Sequence, residues 1–209
     1  MQRGRRRGAG GMSLIELMVG VALLAILLAL AVPAFGDWMR NARVRTTAES
    51  LRAGLQQARA EAIRRNANVR FQLVTTLDNG CALSTSGPFW VSNAGASVSP
   101  ASGCAGAIST TVSPFLIQKS PVVSNATSDI TLTASGSGVI AFDPLGRMTG
   151  TTNPTVATPA QFTVDLGSSG GSCIAQGGNV RCLRIAVSVS GDARLCDLTR
   201  TTTNDPMKC

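Results

Sequence analysis

Gly11-Met12-Ser13-Leu14-Ile15-Glu16 follows an arginine-rich leader and opens an apolar run that continues to Phe35, with a single carboxylate near its start. As a helix rising about 1.5 Å per residue, Leu14 to Phe35 would span roughly 33 Å, enough for a hydrocarbon core of about 30 Å. A carboxylate in such a helix costs at least about 2.5 kcal/mol on insertion scales, so Glu16 calls for a partner. The α-amino group that a cut between Gly11 and Met12 would release supplies one. Two plainer readings compete. An ordinary secretory signal could use Ala29-Leu30-Ala31 as its small-x-small cleavage site, but its apolar region is usually about 7–15 residues and has no use for Glu16. A plain N-terminal anchor leaves the acid equally unexplained.

Downstream of this run the pattern turns amphipathic. Val44, Ala48, Leu51, Leu55, Ala58 and Ala62 recur at spacings of four and three, one stripe of a helix. Arginines 40, 43, 45, 52, 59, 64 and 65 fill much of the remaining surface, and the helix should fade near Asn66 to Asn68. From Val69 onward the signal is β: 69–74, 89–91, 130–132, 139–142, 162–164 and 183–189 alternate or run β-branched, separated by Gly, Ser, Thr, Asn and Pro. Residues 92–113 and 167–178 read as long irregular loops. The expected class is α+β, a long N-terminal helix packed on a β-rich globular head. Its segments are a leader at 1–11, a transmembrane helical half at 12–36, an amphipathic half at 37–67 and the head at 68–209.

The formal net charge of +8 is partly borrowed from the leader: without Arg3, Arg5, Arg6 and Arg7, 15 basic side chains face 11 acidic ones. Leader arginines on the cytoplasmic side follow the positive-inside bias and place the C-terminal body across the membrane. Six cysteines in an exported head read as disulfides, since the bacterial periplasm is oxidising. A metal site would usually recruit histidine or a Cys-x-x-Cys pair, and the sequence contains neither. Six cysteines allow about fifteen pairings. Proximity favours Cys81–Cys104, Cys173–Cys182 and Cys196–Cys209, each closing a loop worth about 3 kcal/mol in the chain-entropy view.

Gly167-Ser168-Ser169-Gly170-Gly171 satisfies the G-x-S-x-G pattern of a nucleophile elbow, but without histidine a Ser-His-Asp triad cannot be built. The head's acids are scattered, and Lys119 and Lys208 are the only lysines. The expectation is a protein that is not an enzyme, with no cofactor and no metal. Asn125-Ala126-Thr127 matches a glycosylation sequon and reads as a surface loop.

The leader junction resembles the class III signal of type IV pilins and type II secretion pseudopilins. That resemblance implies cleavage between Gly11 and Met12 by a prepilin peptidase, methylation of Met12, Glu16 as the acid at mature position five, and Pro33 as the helix-kinking proline. Met12 stands where the family usually has Phe. The strand and turn at 139–147 (Val-Ile-Ala-Phe-Asp-Pro-Leu-Gly-Arg) and the helix at 51–66 running directly into a strand resemble the FimT/GspH minor pilins and pseudopilins. The family's fold is a type IV pilin-like helix and head, and its function is assembly. The resemblance implies a structural subunit anchored once in the bacterial inner membrane, head in the periplasm, that enters a type IV pilus or a type II secretion pseudopilus. Other pilin subunits, the peptidase and the membrane would be its partners. Glu16 would pair with the terminal amine of Met12 on a neighbouring subunit, fixing register more than adding stability.

An alternative from the same family is DNA uptake through a basic C-terminal segment, usually Gly-Arg-x-Arg. Here Gly191-Asp192-Ala193-Arg194 keeps the glycine and the second arginine but has Asp192 where the first should be. Arg181, Arg184, Arg194, Arg200 and Lys208 could still form a non-specific phosphate patch, although no aromatic follows Phe162 to stack on bases.

Overall fold

The computed structural model describes residues 12–121 and 129–209, and for residues 30–34 the backbone alone. Gly11 and the sequon at 125–127 lie outside the described residues. The helix α1 (Leu14–Arg65) carries Glu16 in its first turn and Arg64 and Arg65 in its last, each sign complementing the helix dipole. It ends in a Schellman motif: Asn66 takes a left-handed conformation (φ 50°), its N–H donates to the Ile63 carbonyl, and the Ala67 N–H donates to that of Ala62.

The chain divides into two compact units between Met39 and Arg40. In the first, the apolar side chains from Leu14 to Leu28 are exposed on all sides, Leu14 by 79%. The Phe35 and Trp38 rings lie 5.6 Å apart. Among the described residues no helix is long and apolar enough to cross a membrane. The sequence reading of 12–36 as a span counted Leu30 to Ala34, whose side chains fall outside the description.

The second unit combines the C-terminal part of α1 with two antiparallel sheets. Its strands are β1 (Val69–Val74), β2 (Phe89–Ala94), β3 (Leu116–Lys119), β4 (Ile130–Ala134), β5 (Val139–Phe142), β6 (Met148–Thr149), β7 (Thr151–Thr152), β8 (Thr155–Val156), β9 (Gln161–Ser168), β10 (Leu183–Ser188) and β11 (Ala193–Asp197). One sheet runs β3-β2-β1-β5-β6 and the other β11-β10-β9-β4, while β7 and β8 make a small separate hairpin. All six residues of the helical stripe, Val44 to Ala62, are fully buried and share one core with the inner faces of both sheets: Phe71, Leu73, Ile140 and Phe142 from the first, Phe162, Val164, Ile185 and Val187 from the second. Gly54 is required by packing, because a Cβ there would sit 2.5 Å from the Trp90 ring, which itself stacks on Phe71.

The structure adds strands that hydrophobic alternation did not single out. Leu116–Lys119 and Ala193–Asp197 are edge strands, and β2 extends to Ala94, so the irregular stretch expected from Ser92 begins at Gly95. Likewise β9 continues to Ser168, and the loop beyond it holds a 3-10 turn at Ile174–Gln176. On the outer face of the first sheet a second, smaller core of Val74, Val91 and Leu116 gathers around the Cys81–Cys104 disulfide. Lys119 reaches over that loop, its ammonium donating to the carbonyls of Cys104 (2.9 Å) and Gly106 (2.8 Å).

Candidate functional site

Alternation along β10 sends Leu183, Ile185 and Val187 into the core and turns Arg184, Ala186 and Ser188 outward. Register carries this face across the sheet. Arg184 stands opposite Asp165 on β9 and Cys196 on β11, Ala186 opposite Arg194, and Ser188 opposite Gln161. The C-terminal segment brings Lys208 and Cys209 to the same place. Together they line a concavity of about 160 Å³ whose charged side chains are Arg184, Arg194 and Lys208.

Of the five basic residues expected to form one patch, Arg184, Arg194 and Lys208 line this concavity. Arg184 is engaged already, donating from Nε (2.5 Å) and Nη2 (2.7 Å) to the Asp165 carboxylate, which raises its pKa above the usual arginine value. Arg194 is exposed on β11, and neither it nor Lys208 has a side-chain hydrogen bond or ion pair among the described residues. Arg181 and Arg200 lie elsewhere, on the buried carboxylate of Asp197, at 2.8 Å and 4.0 Å. Burial alone would raise the Asp197 pKa. The hydrogen bonds from the Thr199 N–H and hydroxyl outweigh it, with help from the two guanidinium charges, and hold it below the ordinary carboxylate range.

The pairing expected for the last two cysteines is corrected. Cys81–Cys104 and Cys173–Cys182 are disulfides with Cα separations of 6.1 and 5.4 Å, but Cys196 and Cys209 are free thiols. They lie side by side. Burial, then a hydrogen bond to Cys196, pushes the Cys209 thiol up to about 12, although the residue as a whole remains exposed. The C-terminal segment is tethered by polar means instead: the Asp197 N–H donates to the Met207 carbonyl (2.7 Å), and Arg200 pairs with Asp205 (3.5 Å). A count of cysteines and their spacing could not weigh those tethers against a covalent one.

Nothing at the G-x-S-x-G stretch forms a nucleophile elbow. The serine of the pattern, Ser169, lies exposed in the turn after β9, its N–H donating to the Asp129 carbonyl (3.0 Å), and no helix follows directly. Among the described residues no group of three or more His, Cys, Asp or Glu is placed to hold a metal ion. Glu16 sits in the first turn of α1, Met12 just before it, and Pro33 within it, where the side chain is not described. Sequence reasoning did not place Gln161, Ser188 or Asp165 at this site; Ser188 already lay in the strand expected at 183–189, and one more residue at each end of the strand expected at 162–164 takes in the other two.

Comparison with known proteins gives two family matches. The family described as type II transport protein GspH matches residues 47–191, and the prokaryotic N-terminal methylation motif matches residues 6–32. Two crystal forms of the type IV minor pilin FimU of Pseudomonas aeruginosa are similar in structure. One, in space group P65, has 17% identity and a TM-score of 0.43 over 76% of this chain and 97% of that one. The other, in space group P21, has 16% identity and a TM-score of 0.44 over 77% of this chain and 92% of that one. No curated protein matches.

Proposed function

Because the chain belongs to the GspH family, within the type IV pilin-like minor pilins and pseudopilins, we propose that it is an assembly subunit without catalytic activity, held in the bacterial inner membrane with its head in the periplasm and recruited into a type IV pilus or a type II secretion pseudopilus. One observation carries this reading. The methylation motif at 6–32 and the GspH match at 47–191 are joined by a single helix, α1, which begins inside the first and ends inside the second. In the proposed sequence of events the peptidase cuts between Gly11 and Met12 and methylates the new amine. Residues 12–36 anchor the subunit, and Glu16 pairs with the terminal amine of a neighbour as the apolar segments pack together. Each charge neutralises the other where water is excluded, so the pair sets axial register.

Intact-mass measurement of membrane-extracted protein should show loss of the first eleven residues, plus one methyl group on Met12. Glu16→Ala, which makes the segment more apolar, should stay in the membrane and fail to enter filaments. A mature N-terminus near Val32, or normal incorporation of Glu16→Ala, would overturn the proposal.

The convergence of Arg184, Arg194 and Lys208 on one concavity favours a second reading, non-specific binding of DNA phosphates. Arg184 is already committed to Asp165, so Arg194 and Lys208 carry most of it. Arg194→Ala should then weaken duplex binding and Asp192→Arg strengthen it, with affinity falling as salt rises. A protein that shifts no DNA at low salt, with or without Asp192→Arg, would leave assembly as its whole role.

A further inference from the structure

Arg70 lies in the middle of β1, on the face of its sheet turned away from α1, and is fully buried. Register places it opposite Asn93 on β2 and Ala141 on β5; Gln72, two residues along on the same face, stands between Val91 and Val139. Above Arg70 comes the β7–β8 hairpin, and Nη1 donates to the Asn153 carbonyl there. Its Nε and Nη2 have no hydrogen-bond partner, nor do the amide nitrogen and oxygen of Gln72, nor Asn93 Oδ1.

The charge is the harder fact to accommodate. Burial pushes the Arg70 pKa down to about 10, which leaves the guanidinium protonated at neutral pH. Yet no ion pair among the described residues involves it; the pairs use Arg43, Arg45, Arg64, Arg65, Arg147, Arg181, Arg184 and Arg200. Buried charges in proteins are as a rule paired, because the lost hydration must be recovered. Hydrogen bonding alone would satisfy the idle N–H groups and leave the charge unanswered. Three idle donor atoms, two on Arg70 and one on Gln72, belong to side chains that share a face. Ala141 offers only a methyl group beside Arg70, and Val91 and Val139 wall the Gln72 end with hydrocarbon. A small, singly charged, weakly hydrated anion loses least on leaving water, so idle N–H donors beside hydrocarbon walls favour that class.

We propose that Arg70 and Gln72 form the floor of an internal site for a halide ion, of the chloride or bromide class, enclosed by the Thr151–Val156 hairpin. The site is separate from the basic concavity on the other sheet, and its occupancy fastens the hairpin to β1.

The test is thermal unfolding of the detergent-extracted full chain at constant ionic strength, with gluconate replaced stepwise by chloride or bromide. Between about 10 mM and about 300 mM halide the midpoint should rise by roughly 2–4 °C and level off, as saturable binding to the folded state requires. Arg70→Met should abolish that rise, and Gln72→Leu should shift the halide titration to several-fold higher concentration. Crystals grown in bromide should show an anomalous peak between the two side chains. No halide dependence in the natural chain, or an equal dependence in Arg70→Met, would overturn the proposal. If Arg70→Met does not fold, an unchanged titration in Gln72→Leu would do the same.

Discussion

The two parts of α1 differ in composition and have opposite surroundings. Between Leu14 and Leu28 nearly every side chain is apolar and all are exposed, with Leu24 at 56%. From Val44 to Ala62 only one stripe is apolar, yet each of its members is fully buried. A helix that is apolar all round can seat itself only in an environment that is apolar all round, whereas a single stripe needs a specific surface. The first stretch is therefore tolerant in sequence and dependent on partners, and the second is demanding in sequence and self-sufficient.

That contrast can be broken or sharpened by substitution. The largest effect is expected at Leu51, where truncation to Ala should cost the head about 2–5 kcal/mol in denaturant unfolding, against less than about 0.5 kcal/mol for Leu24→Ala. Equal losses at both positions would erase the distinction. Next comes Gly54→Ala, where the added methyl must push the Trp90 ring aside; a loss of about 1–3 kcal/mol is expected, together with altered Trp fluorescence. The smallest effect sits at the end of the helix. Hydrogen bonds from Arg64, then Arg65, hold the Glu61 carboxyl down to about 2. A depressed folded-state pKa gives stability that is complete above the unfolded value of about 4.3 and is lost as pH falls toward 2. Glu61→Gln should therefore lower stability by a constant amount from about pH 5 up to about pH 8, with the difference from the natural chain closing as pH falls toward 2.

Much of this was legible in the sequence, and the reasons differ by element. The stripe from Val44 to Ala62 was readable because one helix face meets one core. β1 was readable as a strand, but Arg70 and Gln72 look in sequence like ordinary solvent-facing positions. All six residues of β1 are buried, because a second layer of loop and hairpin roofs the outer face, and alternation reports faces without reporting roofs. β11 was hidden for a different reason: Ala193-Arg194-Leu195-Cys196-Asp197 has charges at two of five positions and reads as a basic segment until β10 is beside it. Of the site, the basic residues were visible individually. Their grouping depends on cross-strand register, and the separation of Arg181 and Arg200 depends on Asp197, which no local pattern marks.

The keying of α1 to the head has a genetic corollary. Gly54 lies under Trp90, Arg52 Nε donates to the Ala193 carbonyl (3.1 Å), and Arg59 Nε donates to that of Gly146 (2.9 Å), at the seam where Gly191 packs too closely on Gly146 to admit a side chain. Deleting the codon for Leu55 would rotate every later residue of the helix by about 100° around the axis, carrying Ala58 and Ala62 off the core together. Natural variation in this stretch should accordingly consist of exchanged letters at fixed length, while the polar loops of the head absorb the gains and losses of residues.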